Sequence, residues 1–136
     1  HIFITGVQLE VGSVATDFEH RSFAEELELS KRYYQQSYSY GTYPGAVSYS
    51  GNEVVNSDDG NLQRAMIRLH KTMRASSATT VIYNPATGAS NSIRSNSSAN
   101  FTPGGIYDVG NNSFFTDYTP TSGEYVVFHW TIDMEL

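Results

Sequence analysis

Residues 124–136 read EYVVFHWTIDMEL and carry the clearest strand pattern in the chain. Apolar residues recur there at every second position, the period at which the side chains of a β-strand return to one face. These residues are Val126, Phe128, Trp130, Ile132, Met134 and Leu136. The intervening positions are polar apart from Val127. The pattern predicts a strand with one core face, and it places Trp130 in the core rather than on a ligand-binding surface.

The rest of the chain has the composition and spacing of an antiparallel β-protein. Its 136 residues include ten Tyr, seven Phe and one Trp, and only 16% of them are charged. Aromatic and β-branched side chains pack well on pleated surfaces. Further short strands are expected near residues 33–38, 80–83, 93, 106–109 and 113–118, with polar turns between them. We therefore predict an all-β fold, an antiparallel β-sandwich.

One short helix is expected at about residues 23–31. Ser22 and Glu25 have the spacing of a capping box, in which each side chain satisfies the backbone N–H of the other residue. Acidic residues lie early in this segment, and Lys31 and Arg32 lie late, which matches the helix dipole. Before the helix, IFITGVQLEV at residues 2–11 alternates in polarity and predicts a strand that is at least half buried.

Residues 62–74, LQRAMIRLHKTMR, fit either a helix or a strand. The apolar residues form a helical stripe when counted from Leu62 through Met66 to Met73. They form a strand face when counted from Ala65 to Leu69. Periodicity alone leaves both structures open.

Composition and spacing exclude several classes of protein. Without Cys the chain has no disulfide and no thiolate metal site. A net charge of -6 argues against nucleic acid as a partner, and no apolar run approaches the roughly 20 residues of a membrane span. The four His, at positions 1, 20, 70 and 129, lack the spacing of a zinc site. We therefore expect no metal and no other cofactor.

The sequence contains no motif of a known catalytic class. It has neither a G-x-S-x-G nucleophile elbow nor a Gly-rich phosphate loop after a strand. Acidic residues such as Asp58, Asp59 and Asp133 do not by themselves indicate a glycosidase, because two carboxylates can approach in any fold. We therefore expect a protein that is not an enzyme.

The candidate binding site is a Tyr-rich, charge-poor segment. Between Tyr33 and Gln63 there is no Lys or Arg. Aromatic rings can stack on the C–H faces of sugars, while neighbouring amides and carboxylates bond the hydroxyl groups. The alternative is that these Tyr residues pack in a sheet or between subunits. The candidate carbohydrate-binding residues are Tyr38, Tyr40, Tyr43, Tyr49, Asn52, Asp58 and Asp59.

Half of the eight basic residues lie within eleven positions, at Arg64, Arg68, Lys71 and Arg74. Such a cluster could meet an anionic glycan. A solvated strand face, or pairing with carboxylates, is the alternative.

Three stretches of the chain together resemble tail-fibre and tail-spike-like proteins of bacteriophages and prophages. They are ITGVQLEVGSVATDFEHRSFAEELELSKRYYQQS at 4–37, MRASSATTVIYNPATG at 73–88 and HWTIDMEL at 129–136. In that family a TGVQLEVG…FEHR strand closes an upstream jelly-roll module of carbohydrate-binding type. A helix and a strand then open a C-terminal domain. Residues 38–60 and 89–123 carry no resemblance, which is typical of variable loops that select a receptor.

The resemblance implies a domain organisation. Residues 1–21 would be the terminal strand and linker of a preceding module, and residues 22–136 would be a C-terminal β-sandwich domain. His1 would then be an internal residue of a longer fibre protein. The resemblance also favours a strand at residues 62–74.

The resemblance further implies a homotrimer in the virion, joined to the rest of the fibre upstream. Its function would be recognition of a bacterial surface glycan outside the host cell, without catalysis and without membrane insertion. Phe23 and Leu27 of the helix would contact other subunits around the three-fold axis, or else pack on their own sheet. The alternative function is a structural trimerisation cap that binds no ligand of its own.

Overall fold

A computed structural model describes residues 7–14, 16–17, 20–56, 62–97, 99–101, 103, 105–119 and 123–134. Within these residues the chain forms one α-helix and nine β-strands. They are α1 (Phe23–Ser30), β1 (Tyr34–Gln36), β2 (Glu53–Asn56), β3 (Gln63–Arg68), β4 (Thr79–Tyr83), β5 (Ile93–Ser95), β6 (Asn100–Phe101), β7 (Gly105–Tyr107), β8 (Ser113–Tyr118) and β9 (Tyr125–Asp133). The strands form two antiparallel sheets, so the prediction of an all-β sandwich with one short N-terminal helix is confirmed.

Strand β9 is the centre of the larger, six-stranded sheet because both of its edges are paired along most of its length. Its C-terminal half pairs with β1 on one edge and with β4 on the other. Its N-terminal half pairs with β2 and β5, and β6 extends the sheet beyond β5. The smaller sheet has the order β3-β8-β7. The strong strand pattern of residues 124–136 therefore marks the strand around which the larger sheet is built.

The core contains the apolar face of β9. Its buried residues include Phe128, Trp130 and Ile132, together with Ile67 of β3 and Phe114 of β8. The rings of Phe114 and Trp130 meet edge to face, with their centroids 5.7 Å apart. A buried indole N–H needs an acceptor, and Nε1 of Trp130 donates to Oε1 of Glu53 at 3.1 Å. Trp130 is thus a core residue, as the alternation predicted.

The opposite face of β9 is buried as well, and the prediction of a single core face was wrong. Val127, His129 and Thr131 all lie on this face and are all buried. At His129 the cover is the long connection between β1 and β2, which folds over the sheet. Val127 lies between the paired strands β2 and β5. A polar residue at an alternate position indicates solvent only where nothing else covers the strand.

The helix begins and ends as its sequence indicates, but it packs little against the rest of the chain. Ser22 and Glu25 form the capping box, with the Ser22 hydroxyl oxygen accepting from the Glu25 backbone N–H at 3.2 Å. No residue of α1 is buried, and Phe23 is 65% exposed.

Among the described residues, no helix combines the length and the apolar character that crossing a membrane requires.

The structure also tests the strand predicted before the helix and decides the ambiguous segment at residues 62–74. Residues 7–14 form no strand, and Val7, Leu9 and Val11 are exposed, so the expected half-buried strand is absent over this part. Residues 2–6 of that prediction lie outside the described residues. Residues 63–68 form strand β3, because Ala65 and Ile67 are buried in the core while the whole segment pairs with β8. The strand alternative for this segment is therefore the correct one.

Candidate functional site

The connection between β1 and β2, residues 37–52, folds over His129 on the face of the six-stranded sheet opposite the core. We call this segment the Tyr loop, and we call the sheet face opposite the core the outer face. Tyr38 stacks on His129 of β9, with ring centroids 3.8 Å apart and ring planes 15° from parallel. The ring of Tyr83, on β4, packs edge to face against the ring of Tyr38, and the two ring centroids are 6.1 Å apart. The Tyr loop therefore covers His129 in the middle of β9.

Hydrogen bonds to the imidazole of His129 hold the Tyr loop at Ser37 and at Ser48. The Trp130 backbone N–H donates to Oγ of Ser37 at 3.0 Å, and that Oγ lies 2.9 Å from Nδ1 of His129. Nε2 of His129 lies 2.9 Å from the carbonyl oxygen of Ser48. Because a carbonyl oxygen only accepts, Nε2 carries the hydrogen and Nδ1 accepts from the Ser37 hydroxyl. Burial lowers the pKa of His129, which favours this neutral ring.

A close backbone approach holds the middle of the Tyr loop. The Gly45 N–H donates to the Tyr38 hydroxyl oxygen at 3.1 Å, and the Ser48 N–H donates to the Pro85 carbonyl at 3.0 Å. Gly88, at φ +74°, lies so near Gly45 that a Cβ atom on Gly88 would overlap the Gly45 carbonyl oxygen. Only glycine fits at this contact, so the turn after β4 and the Tyr loop are locked together.

The N-terminal half of β9 remains open on the outer face and forms the floor of a groove of about 470 Å³. Val54 of β2 and Arg94 of β5 are the direct cross-strand neighbours of Val127. These three positions form a row across the sheet. The lining residues of the groove are Tyr49, Asn52, Val54, Arg94, Ser95, Asn96, Tyr125 and Val127.

The groove combines aromatic, apolar and amide groups. Tyr49 and Tyr125 are both exposed, as is Val54 on the floor. Asn52 and Asn96 supply donors and acceptors, and Arg94 is the one charged side chain among the described lining residues. An aromatic surface beside a few polar groups is the arrangement that binds a small polar ligand such as a sugar. The described lining residues include no carboxylate that could act as a general acid or base.

The structure brings together two of the predicted site residues and separates others from them. Tyr49 and Asn52 line the groove. Tyr40 and Tyr43 are exposed by 78% and 72% but lie outside it. The ring of Tyr40 instead meets Phe23 edge to face, with centroids 5.6 Å apart.

Tyr38 is only 4% exposed, because one face of its ring stacks on His129 and its hydroxyl accepts from Gly45. Tyr38 and Tyr40 also line a second pocket, of about 420 Å³, beside the helix. Sugar binding by Tyr38 therefore stays a prediction, while its contacts support the Tyr loop. Asp58 and Asp59 lie outside the described residues.

Three of the four clustered basic residues are occupied within the protein. Arg64 forms two hydrogen bonds to Asp117, at 2.7 and 3.1 Å, and lies over the ring of Tyr107. The side chain of Lys71 forms an ion pair with Glu28 at 3.4 Å. The guanidinium of Arg74 lies over the ring of Tyr33, 5.6 Å from its centroid. Arg64 and Lys71 thus pair with carboxylates, which was the alternative to binding an anionic glycan.

Several lining residues of the groove were missed in the sequence. The sequence did hold a signal for Tyr125 and Val127. Val127 is the one aliphatic residue on the otherwise polar face of β9, and Tyr125 lies on the same face. No local signal marks Arg94 and Asn96. They belong to a strand of three residues and the turn after it, and only long-range pairing with β9 brings them to the groove.

Comparisons of the chain with protein-family models, with curated proteins and with solved structures found no match. The chemistry of the groove and the resemblance of the three sequence stretches therefore carry the functional inference.

The close contact between Gly88 and Gly45 predicts a large cost for an added methyl group. Gly88→Ala should lower the free energy of unfolding by about 1–2 kcal/mol from left-handed backbone strain. Overlap with the Gly45 carbonyl should add roughly 1–3 kcal/mol. Gly41→Ala is the matched control, because Gly41 has φ +84° in the same loop and open space around its Cβ position. Urea unfolding of both variants measures the difference, and equal losses would contradict the locked contact.

Proposed function

We propose that this chain is the C-terminal domain of a bacteriophage tail fibre and binds a bacterial surface glycan without catalysis. The observation that carries the proposal is the groove on the open half of the outer face. Its two Tyr rings, its amides and its valine floor suit the C–H faces and hydroxyl groups of a sugar. The virion, outside the host cell, would be its place of action.

The residues that line the groove are held by hydrogen bonds and strand pairing, so a ligand can bind without a large rearrangement of the chain. Tyr49 directly follows Ser48, whose carbonyl accepts from His129 and whose N–H donates to Pro85. The floor residues Val54 and Val127 belong to paired strands of the sheet. A wall and floor that are already fixed spend little free energy on ordering when a ligand binds.

The distribution of the groove residues along the chain supports a receptor-binding role within a fibre. The stretches that resemble tail-fibre proteins supply α1, β1, β4 and most of β9, which form the frame. Six lining residues come from the two stretches without resemblance, namely Tyr49, Asn52, Val54, Arg94, Ser95 and Asn96. A constant frame with variable binding segments is the organisation expected of a protein family that adapts to different receptors. Three copies on one fibre would add avidity to a weak single site.

Removal of one aromatic wall should weaken glycan binding while the fold stays intact. Tyr49→Ala should lower the affinity for a bound polysaccharide about fivefold, the loss of about 1 kcal/mol of stacking. Tyr43→Ala is the matched control, because Tyr43 is an exposed Tyr of the same loop outside the groove. Biolayer interferometry against a panel of purified bacterial capsules and lipopolysaccharides measures both variants.

Two results would contradict the proposal. One is that the unmodified chain binds no polysaccharide of the panel. The other is that Tyr49→Ala binds as tightly as the unmodified chain. Thermal unfolding of each variant checks that any lost binding does not come from lost structure.

A second candidate function is a trimerisation cap of the fibre end. The favouring observation is that α1 has no buried residue and that Phe23 and Leu29 on it are exposed. Val7 and Leu9 before the helix are exposed as well. These exposed apolar side chains would be covered if the chain self-associates.

The cap function predicts a trimer that depends on Phe23. Light scattering on a sizing column should give about three times the chain mass of 15.1 kDa. Phe23→Ser should reduce this mass to that of a monomer, because the substitution removes an apolar contact between subunits. Val47→Ser is the matched control, since Val47 is 66% exposed on the Tyr loop. A monomeric unmodified chain, or a trimer that survives Phe23→Ser, would contradict this use of the helix.

A further inference from the structure

We propose that the groove selects a sugar that bears a carboxylate and that Arg94 is the residue that binds this carboxylate. The proposal rests on the proposed function and names the chemical class of its ligand. The expected ligand is a bacterial surface polysaccharide that contains a uronic acid.

The position of Arg94 directs its side chain to the groove. Its neighbours in β5, Ile93 and Ser95, are buried, and Ile93 belongs to the core. Successive side chains of a strand point to opposite faces, so Arg94 lies on the outer face. It is half-buried there beside Val127, its cross-strand neighbour.

Arg94 differs from the other cations of the chain in its surroundings. Carboxylate partners are present for Arg21, Lys31, Arg64 and Lys71. Within the described residues the Arg94 side chain has no ion pair and no hydrogen bond. Arg32, Arg68 and Arg74 share that lack, but all three are exposed, and Arg74 lies over the ring of Tyr33. Arg94 is therefore the half-buried cation that has no carboxylate partner among the described residues, and an anion supplied by a ligand can pair with it.

The charge of the groove limits the ligand further. The chain as a whole carries a net charge of -6, so an unspecific surface would repel an acidic polymer. The described lining residues of the groove instead carry one positive charge, that of Arg94. One guanidinium matches one carboxylate, because its planar fork donates two parallel N–H bonds to the two oxygens.

A uronic acid fits both kinds of group in the groove. Its carboxylate is attached directly to the sugar ring, so a single residue offers an anion to Arg94 and a C–H face to Tyr49 or Tyr125. Asn52 and Asn96 can then bond the ring hydroxyl groups. A phosphodiester lies between sugar rings, and it would place the anion away from the stacked face. The geometry thus favours a carboxylate over a phosphate.

The experiment compares a polysaccharide with its neutral form. The panel of capsules and lipopolysaccharides is screened with the unmodified chain, and the polymer that binds most tightly is chosen. Its carboxylates are then reduced to alcohols with carbodiimide and borohydride, which removes the charge and keeps the sugar skeleton. We expect the chosen polymer to contain uronic acid and its affinity to fall about 10- to 100-fold on reduction.

Protein variants test the same contact from the other side. Arg94→Gln should weaken binding of the native polymer about 10- to 100-fold and should make binding indifferent to carboxyl reduction. Arg94→Lys keeps the charge but not the fork, and its loss should be smaller. Arg68→Gln is the matched control, because it removes the same charge from an exposed site on β3 and should leave binding unchanged.

The outcomes separate this inference from the proposed function. Glycan binding that depends on Tyr49 but not on Arg94 or on the carboxylates would overturn the inference and leave the proposed function standing. Selection of a phosphate polymer that contains no uronic acid would also overturn the inference. Absence of binding to every polysaccharide would overturn both. Since carboxyl reduction leaves the protein unaltered, the comparison holds even if an Arg94 variant fails to fold.

Discussion

The placement of the His129 ring determines which part of the larger sheet is covered and which part stays open. The ring lies in the middle of β9, is fully buried, and is held by Ser37, Ser48 and the stacked ring of Tyr38. A buried imidazole is costly unless both nitrogens have partners, and here the Tyr loop supplies both. The same contacts that bury His129 therefore fasten the loop over the middle of β9 and over Tyr83 of β4. The groove is what remains uncovered.

This division gives the two faces of β9 different tasks. The apolar face joins the two sheets through Trp130 and Phe114. The outer face carries the loop at one end and the groove at the other. Because the groove floor is paired sheet and Tyr49 lies next to a fastened residue, a ligand would meet a preformed surface. The proposed recognition of a sugar thus depends on a wall positioned by a residue that never touches the ligand.

Local sequence signals were sufficient for the frame but not for the site. The strand at β9 and the Ser22–Glu25 capping box depend on near neighbours, and both are present, although β9 is buried on both faces and not on one. Tyr38 and Tyr49 are indistinguishable in the sequence, because both are Tyr residues among Ser and Gly. They differ because Tyr38 stacks on His129, which lies 91 positions further along the chain. The groove cation Arg94 was missed for the same reason, since it is brought to Val127 by strand pairing alone.

The most direct test of the open half as the binding surface is backbone NMR of the labelled chain during titration with an oligosaccharide of the bound polysaccharide. The expected result is a set of amide shift changes at Val54, Arg94 and Val127, with the amides of Thr131 and Ile132, which pair with β1, unchanged. These residues belong to the same sheet, so they separate its two halves. Shift changes concentrated around Leu27 and Tyr40, beside the helix, would contradict the groove as the site.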